Sequence, residues 1–117
     1  MIHVNTNAID KDKTDPYFEQ WEKLSQLIFE AHDERSGEAK SLMEQGISLF
    51  EQCVIFCSEA DGMVMNEKEQ YEVLPINGME RFQFIKARPA QYACYRQLDE
   101  LFKEMRKRLA RLRIKSK

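Results

Sequence analysis

Glycine and proline are scarce in this chain, at 4 and 3 of 117 residues. That scarcity suits helices and excludes a turn-rich sandwich or barrel. No apolar run approaches the roughly 20 residues that a membrane span needs. The opening Met1-Ile-His-Val-Asn-Thr-Asn7 lacks the basic and apolar regions of a signal peptide, so a cytoplasmic protein is expected. Three cysteines, an odd number without framework spacing, exclude a disulfide scaffold and agree with a reducing compartment.

Chemistry-bearing motifs are missing too. There is no Gly-rich phosphate loop, no nucleophile elbow and no H-E-x-x-H. A ferritin-like iron site needs Glu-x-x-His, but the two histidines are His3 and His32, and Phe29 stands three residues before His32. Cys53 and Cys57 lie one helical turn apart beside Val54, Ile55 and Phe56, the most apolar stretch, and read as core rather than as half of a metal site. A non-enzyme is therefore expected, with no catalytic, cofactor or metal residue and no cofactor.

What the chain does have is a change of sign. Residues 1–80 carry 17 Asp and Glu against 6 Lys and Arg, while residues 81–117 carry 12 Lys and Arg against 3 acids. The net charge of −2 averages these halves away. Such asymmetry marks either an anionic partner or two halves that neutralise each other on folding.

Hydrophobic spacing predicts a single all-α domain, a four-helix bundle with one short helix and a long connecting loop. Residues 1–14 are polar and without period, and read as a flexible tail before a domain spanning 15–117. Asp15-Pro16 reads as a helix start, followed by Tyr17, Trp21, Leu24, Ile28 and Ala31 on one face to about residue 32. A second stripe, Ala39, Leu42, Met43, Ile47, Phe50, Val54 and Cys57, predicts a helix to about residue 60, with Gly46 open to close approach by a neighbour. Residues 63–76 read as two short strands or a packed loop.

Asn77-Gly-Met-Glu80 matches a capping-box variant opening a short helix at about 78–87. After Arg88-Pro89, the heptad Tyr95, Leu98, Phe102, Met105, Leu109 and Leu112 marks the last helix, and the same stripe is open to use as a homodimer seam. The expected core is Trp21, Leu24, Ile28, Ile47, Phe50, Val54, Phe82, Ile85, Leu98, Phe102 and Met105.

Two clusters are candidate contact sites. Arg106, Lys107, Arg108, Arg111 and Arg113 on the last helix are placed to neutralise nucleic-acid phosphates, an anionic membrane or an acidic protein. The preferred reading is structural, since cations complement a helix C-terminus, face the acidic helices, and have no interleaved aromatic residue; membrane binding is the least favoured. The second cluster is Arg81, Arg88, Tyr92 and Tyr95, an anion pocket or partner contact if the arginines fork onto a carboxylate or phosphate, and internal ion pairs otherwise.

The run Pro75-Ile-Asn77, Glu80-Arg81-Phe82, Phe84-Ile85, Arg88-Pro89, Tyr92, Tyr95, Gln97-Leu98, Leu101-Phe102, Glu104 and Lys107 resembles the YpoC-like family of low-GC Gram-positive bacteria. Asp15-Pro16-Tyr-Phe and Trp21 are similar as well. The resemblance implies a cytoplasmic helical domain of unknown function and supplies no catalytic residues. The expected role is an interaction or scaffold module contacting a protein partner, with nucleic-acid binding through the basic helix as the alternative.

Overall fold

A computed structural model describes residues 1–115 and contains four helices: α1 (Lys11–Glu34), α2 (Ala39–Phe56), α3 (Gly78–Ala87) and α4 (Tyr92–Lys115). The all-α class holds, and no strand forms among the described residues. α1 and α2 pack as a hairpin, α4 lies along α1, and α3 rests on α4 and α2. α4 runs antiparallel to α1. Tyr95 meets Ser25, Asp99 meets Trp21, Arg106 meets Asp15, and Arg113 meets Thr14.

The seam between these helices is aromatic. Phe102 stacks on Trp21 with centroids 4.5 Å apart and meets Phe50 edge-on at 5.0 Å. The Trp21 Nε1–H donates to Asp99 at 3.0 Å, so the ring is buried with its polar handle satisfied. A Cβ on Gly46 would stand 2.7 Å from Trp21 Cζ3 and 3.2 Å from Leu98 Cδ2, so glycine is what lets α2 approach here. Every expected core residue is buried except Leu24, which is half-buried at a groove between α1 and α2. The α4 heptad is buried within the chain from Tyr95 to Leu112, so that stripe is core and not a dimer seam.

Four expectations need correction. The helix starts at Lys11, not Pro16, and residues 1–10 lie against the body, with Val4 and Ile9 buried. Pro16 is tolerated because the bond it removes is to the carbonyl of Asp12, an exposed residue near the helix start. α2 stops at Phe56, where the Ser58 hydroxyl donates to the Val54 carbonyl at 2.6 Å and Val4 bridges Ser58. Asn77 precedes α3 in left-handed geometry (φ 56°), and its side chain caps nothing, so the capping box does not form.

The stretch between α2 and α3 is a packed loop. Its partner is the N-terminal segment. Ile2 N–H donates to the Gln70 carbonyl at 2.8 Å and Glu72 N–H to Ile2 at 3.0 Å. Asn5 N–H donates to Cys57 and Glu59 N–H to His3, both at 2.8 Å. Met65, Tyr71, Val73 and Leu74 turn inward beneath this pairing.

Candidate functional site

The structure separates the four residues of the Arg–Tyr cluster. Arg81, on α3, reaches across to α4 and forks onto Glu104, at 2.6 and 3.1 Å, while donating to the Ile76 carbonyl at 3.2 Å. Glu104 is held below its ordinary carboxylate pKa, chiefly by the hydrogen bond from Arg81 and further by the Arg81 and Lys107 charges. Arg81 is shifted up by the same bond. The arginine therefore pairs within the basic half of the chain, not with the acidic half. Arg88 leaves the helix at the α3 C-cap and lies over the Phe84 ring, 4.6 Å from its centroid. The helix ends between the two arginines, so their seven-residue spacing does not place them on one face.

A cleft of about 590 Å³ beside this clamp is lined by Asn77, Glu80, Arg81, Phe84 and Gln97. It contains neither Tyr92 nor Tyr95. Tyr92 instead lines a separate cavity of about 350 Å³ with Phe29, His32 and Asp33 at the N-terminal end of α4. Tyr95 is buried and shares a 2.9 Å hydrogen bond with the Ser25 hydroxyl. His32 meets the Tyr92 ring edge-on at 5.2 Å, and its buried Nε2 has no hydrogen-bond partner among the described residues. The anion pocket expected from Arg81, Arg88, Tyr92 and Tyr95 is not assembled.

The basic end is largely used inside the molecule. Arg106 reaches Asp15 and Glu22, each at 3.5 Å, and lies over Phe18. Asp15 is pushed below its ordinary pKa, first by the hydrogen bond from Lys11 and also by the charges of Arg106 and Arg113. Arg108 donates to the Glu72 carbonyl. Arg113 donates to the Ile9 carbonyl and, at 2.7 Å, to the Thr14 hydroxyl. Lys107 and Arg111 are exposed and form no salt bridge with any described residue. Ser116 and Lys117, the last part of the basic run, lie outside the described residues.

All three thiols are buried. Cys53 is shifted up by its hydrogen bond with Cys57 and by burial, and Cys94 by burial. No cluster of three metal-ligating side chains occurs among the described residues.

The 63–76 loop, expected with the exposed end of the last helix as a place of partner contact, has one feature that the residues alone do not give. Met63 and Val64 stand 83% and 72% exposed, next to a buried Met65. Met65 N–H donates to the Glu51 carboxylate at 2.8 Å, and Asn66 N–H to the Tyr71 hydroxyl at 2.7 Å. The only signal was Met63-Val-Met65 itself, an apolar triplet in a polar stretch.

A family model described as YpoC-like protein matches residues 11–117, and the chain belongs to that family. The uncharacterized protein YpoC of Bacillus subtilis (strain 168) is 49% identical over 47 residues, which cover 40% of this chain and 28% of that protein. The aligned stretch thus spans little more than a quarter of the relative's length. No solved structure matches the chain. No helix among the described residues is long and apolar enough to cross a membrane.

Proposed function

We propose that this member of the YpoC-like family is a non-catalytic interaction module of the cytoplasm, contacting a protein partner through the loop between α2 and α3. The observation that carries this reading is the Met63–Val64 pair, exposed on a loop whose flanks are anchored. A freely moving loop folds such side chains away at little cost, whereas this one holds them outward. Covering each side chain on a partner recovers about 1.5–3 kcal/mol, and exposed apolar groups with polar rims mark contact surfaces. Three buried free thiols suit a reducing compartment.

Nucleic-acid binding by the basic helix has less support. Of Arg106, Lys107, Arg108, Arg111 and Arg113, three have internal partners and only Lys107 and Arg111 remain for phosphates.

A photo-crosslinking amino acid at Val64 of the full chain tests the loop in cells. The expected result is a discrete adduct with another polypeptide chain, lost when Met63→Asp is added and missing with the crosslinker at exposed Lys23. No adduct at position 64 above the Lys23 control removes the loop as a contact surface.

A further inference from the structure

We infer that the loop's partner is a second copy of this chain, the loop of one copy seating on the α4 end of the other. This rests on the loop being a contact surface and adds what it contacts. Residues 59–72 carry five acids, Glu59, Asp61, Glu67, Glu69 and Glu72, against Lys68 alone. Glu69 lies 4.0 Å from the N-terminal amine, and Glu72 accepts the Val4 N–H at 3.0 Å. Glu59, Asp61 and Glu67 are exposed and form no salt bridge with any described residue. The exposed Met63–Val64 pair is thus bordered by unneutralised carboxylates, and its complement is an apolar group bordered by cations.

The chain carries that complement itself. Ile114 is 75% exposed near the end of α4. Lys107, Arg111 and Ile114 follow at helical steps of four and three, so they share a face. Lys107, Arg111 and Lys115 form no salt bridge with any described residue. These are the cations left over once Arg106, Arg108 and Arg113 have taken internal partners.

Position allows the two patches to close a pair. α2 runs antiparallel to α1, so its C-terminus and the following loop lie at the α1 N-terminal end. Arg113 brings the end of α4 to the same place through Ile9 and Thr14, and Arg108 touches Glu72. Within one chain the patches do not cover each other, since Met63, Val64 and Ile114 all remain exposed. Neighbouring complementary patches on one end match their counterparts across a two-fold axis, each contact made twice. A net charge of −2 sets little repulsion against pairing.

Sedimentation velocity on the full chain over a concentration series, at low and high salt, tests this. The expected result is a concentration-dependent dimer whose Kd weakens about tenfold or more in high salt, as for exposed charge pairs. Two charge reversals follow: Glu59→Lys with Asp61→Lys and Glu67→Lys in the loop, and Lys107→Glu with Arg111→Glu and Lys115→Glu on α4. Each variant alone is expected to be monomeric, and an equimolar mixture is expected to recover the dimer, because both contacts are again between opposite charges. Circular dichroism checks that each is folded, and Met63→Ser with Val64→Ser offers a milder disruption that leaves the charges alone. A wild-type chain that is monomeric throughout overturns the inference, as does a dimer indifferent to both reversals or a mixture without recovery. If the chain is monomeric while the Val64 crosslinker still captures a different protein, the loop reading survives and only the second-copy inference falls. If neither is seen, both fall.

Discussion

The seam of α1, α2 and α4 and the layer formed by residues 1–9 with the α2–α3 loop are joined by different means. In the seam the contacts are side chains: Trp21, Phe50, Phe102, Leu98 and Met105 are all buried, and the polar contacts, Trp21–Asp99, Ser25–Tyr95 and Thr14–Arg113, are also made by side chains. In the layer, main-chain bonds at Ile2, Asn5, Glu59 and Glu72 set the register, reinforced by Glu51, Glu72 and the Tyr71 hydroxyl. The layer buries only short runs, such as Cys57–Ser58 and Val73–Pro75, and isolated residues such as Val4, Ile9 and Met65, whereas the buried side chains of the seam recur along three helices. A seam of this kind opens only with the whole domain, while a hydrogen-bonded layer at the surface opens by itself. The exposed Met63–Val64 pair thus sits on the part of the molecule least tied to global stability.

Removing the centre of the seam tests that division most severely. Phe102→Ala is expected to cost about 3–5 kcal/mol, as for a buried phenylalanine, because it strips the stack from Trp21 and the edge contact from Phe50. Urea melts measure it, and a cost within the surface range would take α4 out of the core. Gly46→Ala comes next. Alanine gains about 1 kcal/mol of helix propensity over glycine, but its methyl would meet the Trp21 ring at 2.7 Å. That ring is fixed by Phe102 and Asp99 and cannot swing aside, so overpacking of about 1–3 kcal/mol is expected to win. A more stable Gly46→Ala variant in the same melts would show that the seam yields.

The same division explains how much could be read from the residues alone. α1, α2 and α4 announce themselves by period: Tyr17, Trp21, Leu24 and Ile28, or Tyr95, Leu98 and Phe102, recur at steps of three and four because a helix returns a face to the core at that spacing. Residues 1–9 and 57–77 have no period because their order comes from pairing with each other, at separations such as Ile2 with Gln70. Neither segment states that pairing by itself, so the first reads as a tail and the second as ambiguous. The Asp15-Pro16 start and the Asn77 cap fail for a related reason. Both are local signals overridden by neighbouring structure, by the distant Ile9–Arg113 bond in one case and by the tight turn that brings Leu74-Pro75 close to Gly78 in the other. For the candidate sites, the basic end was legible as charge, but its division into internal and external cations was not, since it depends on which α4 side chains meet residues 9–22 and 72. Arg81 was legible as a clamp but not its partner, because Glu104 stands on a helix whose register against α3 no local pattern gives.

The smallest effect is expected in the layer and is the sharpest test of its independence. Tyr71 is buried, and its hydroxyl accepts the Asn66 N–H at 2.7 Å. Tyr71→Phe keeps the ring and deletes that acceptor, at about 1 kcal/mol. If the layer opens separately, the loss falls on the loop alone. Native-state hydrogen exchange should then show faster exchange at Asn66, at Met65 and at the paired amides of Ile2 and Glu72. Amides within α1 and α4 should keep their protection, because their exchange requires the seam to part. An equal loss of protection across the helices would mean that the layer and the seam unfold as one unit, and that the loop holding Met63 and Val64 outward is as rigid as the bundle beneath it.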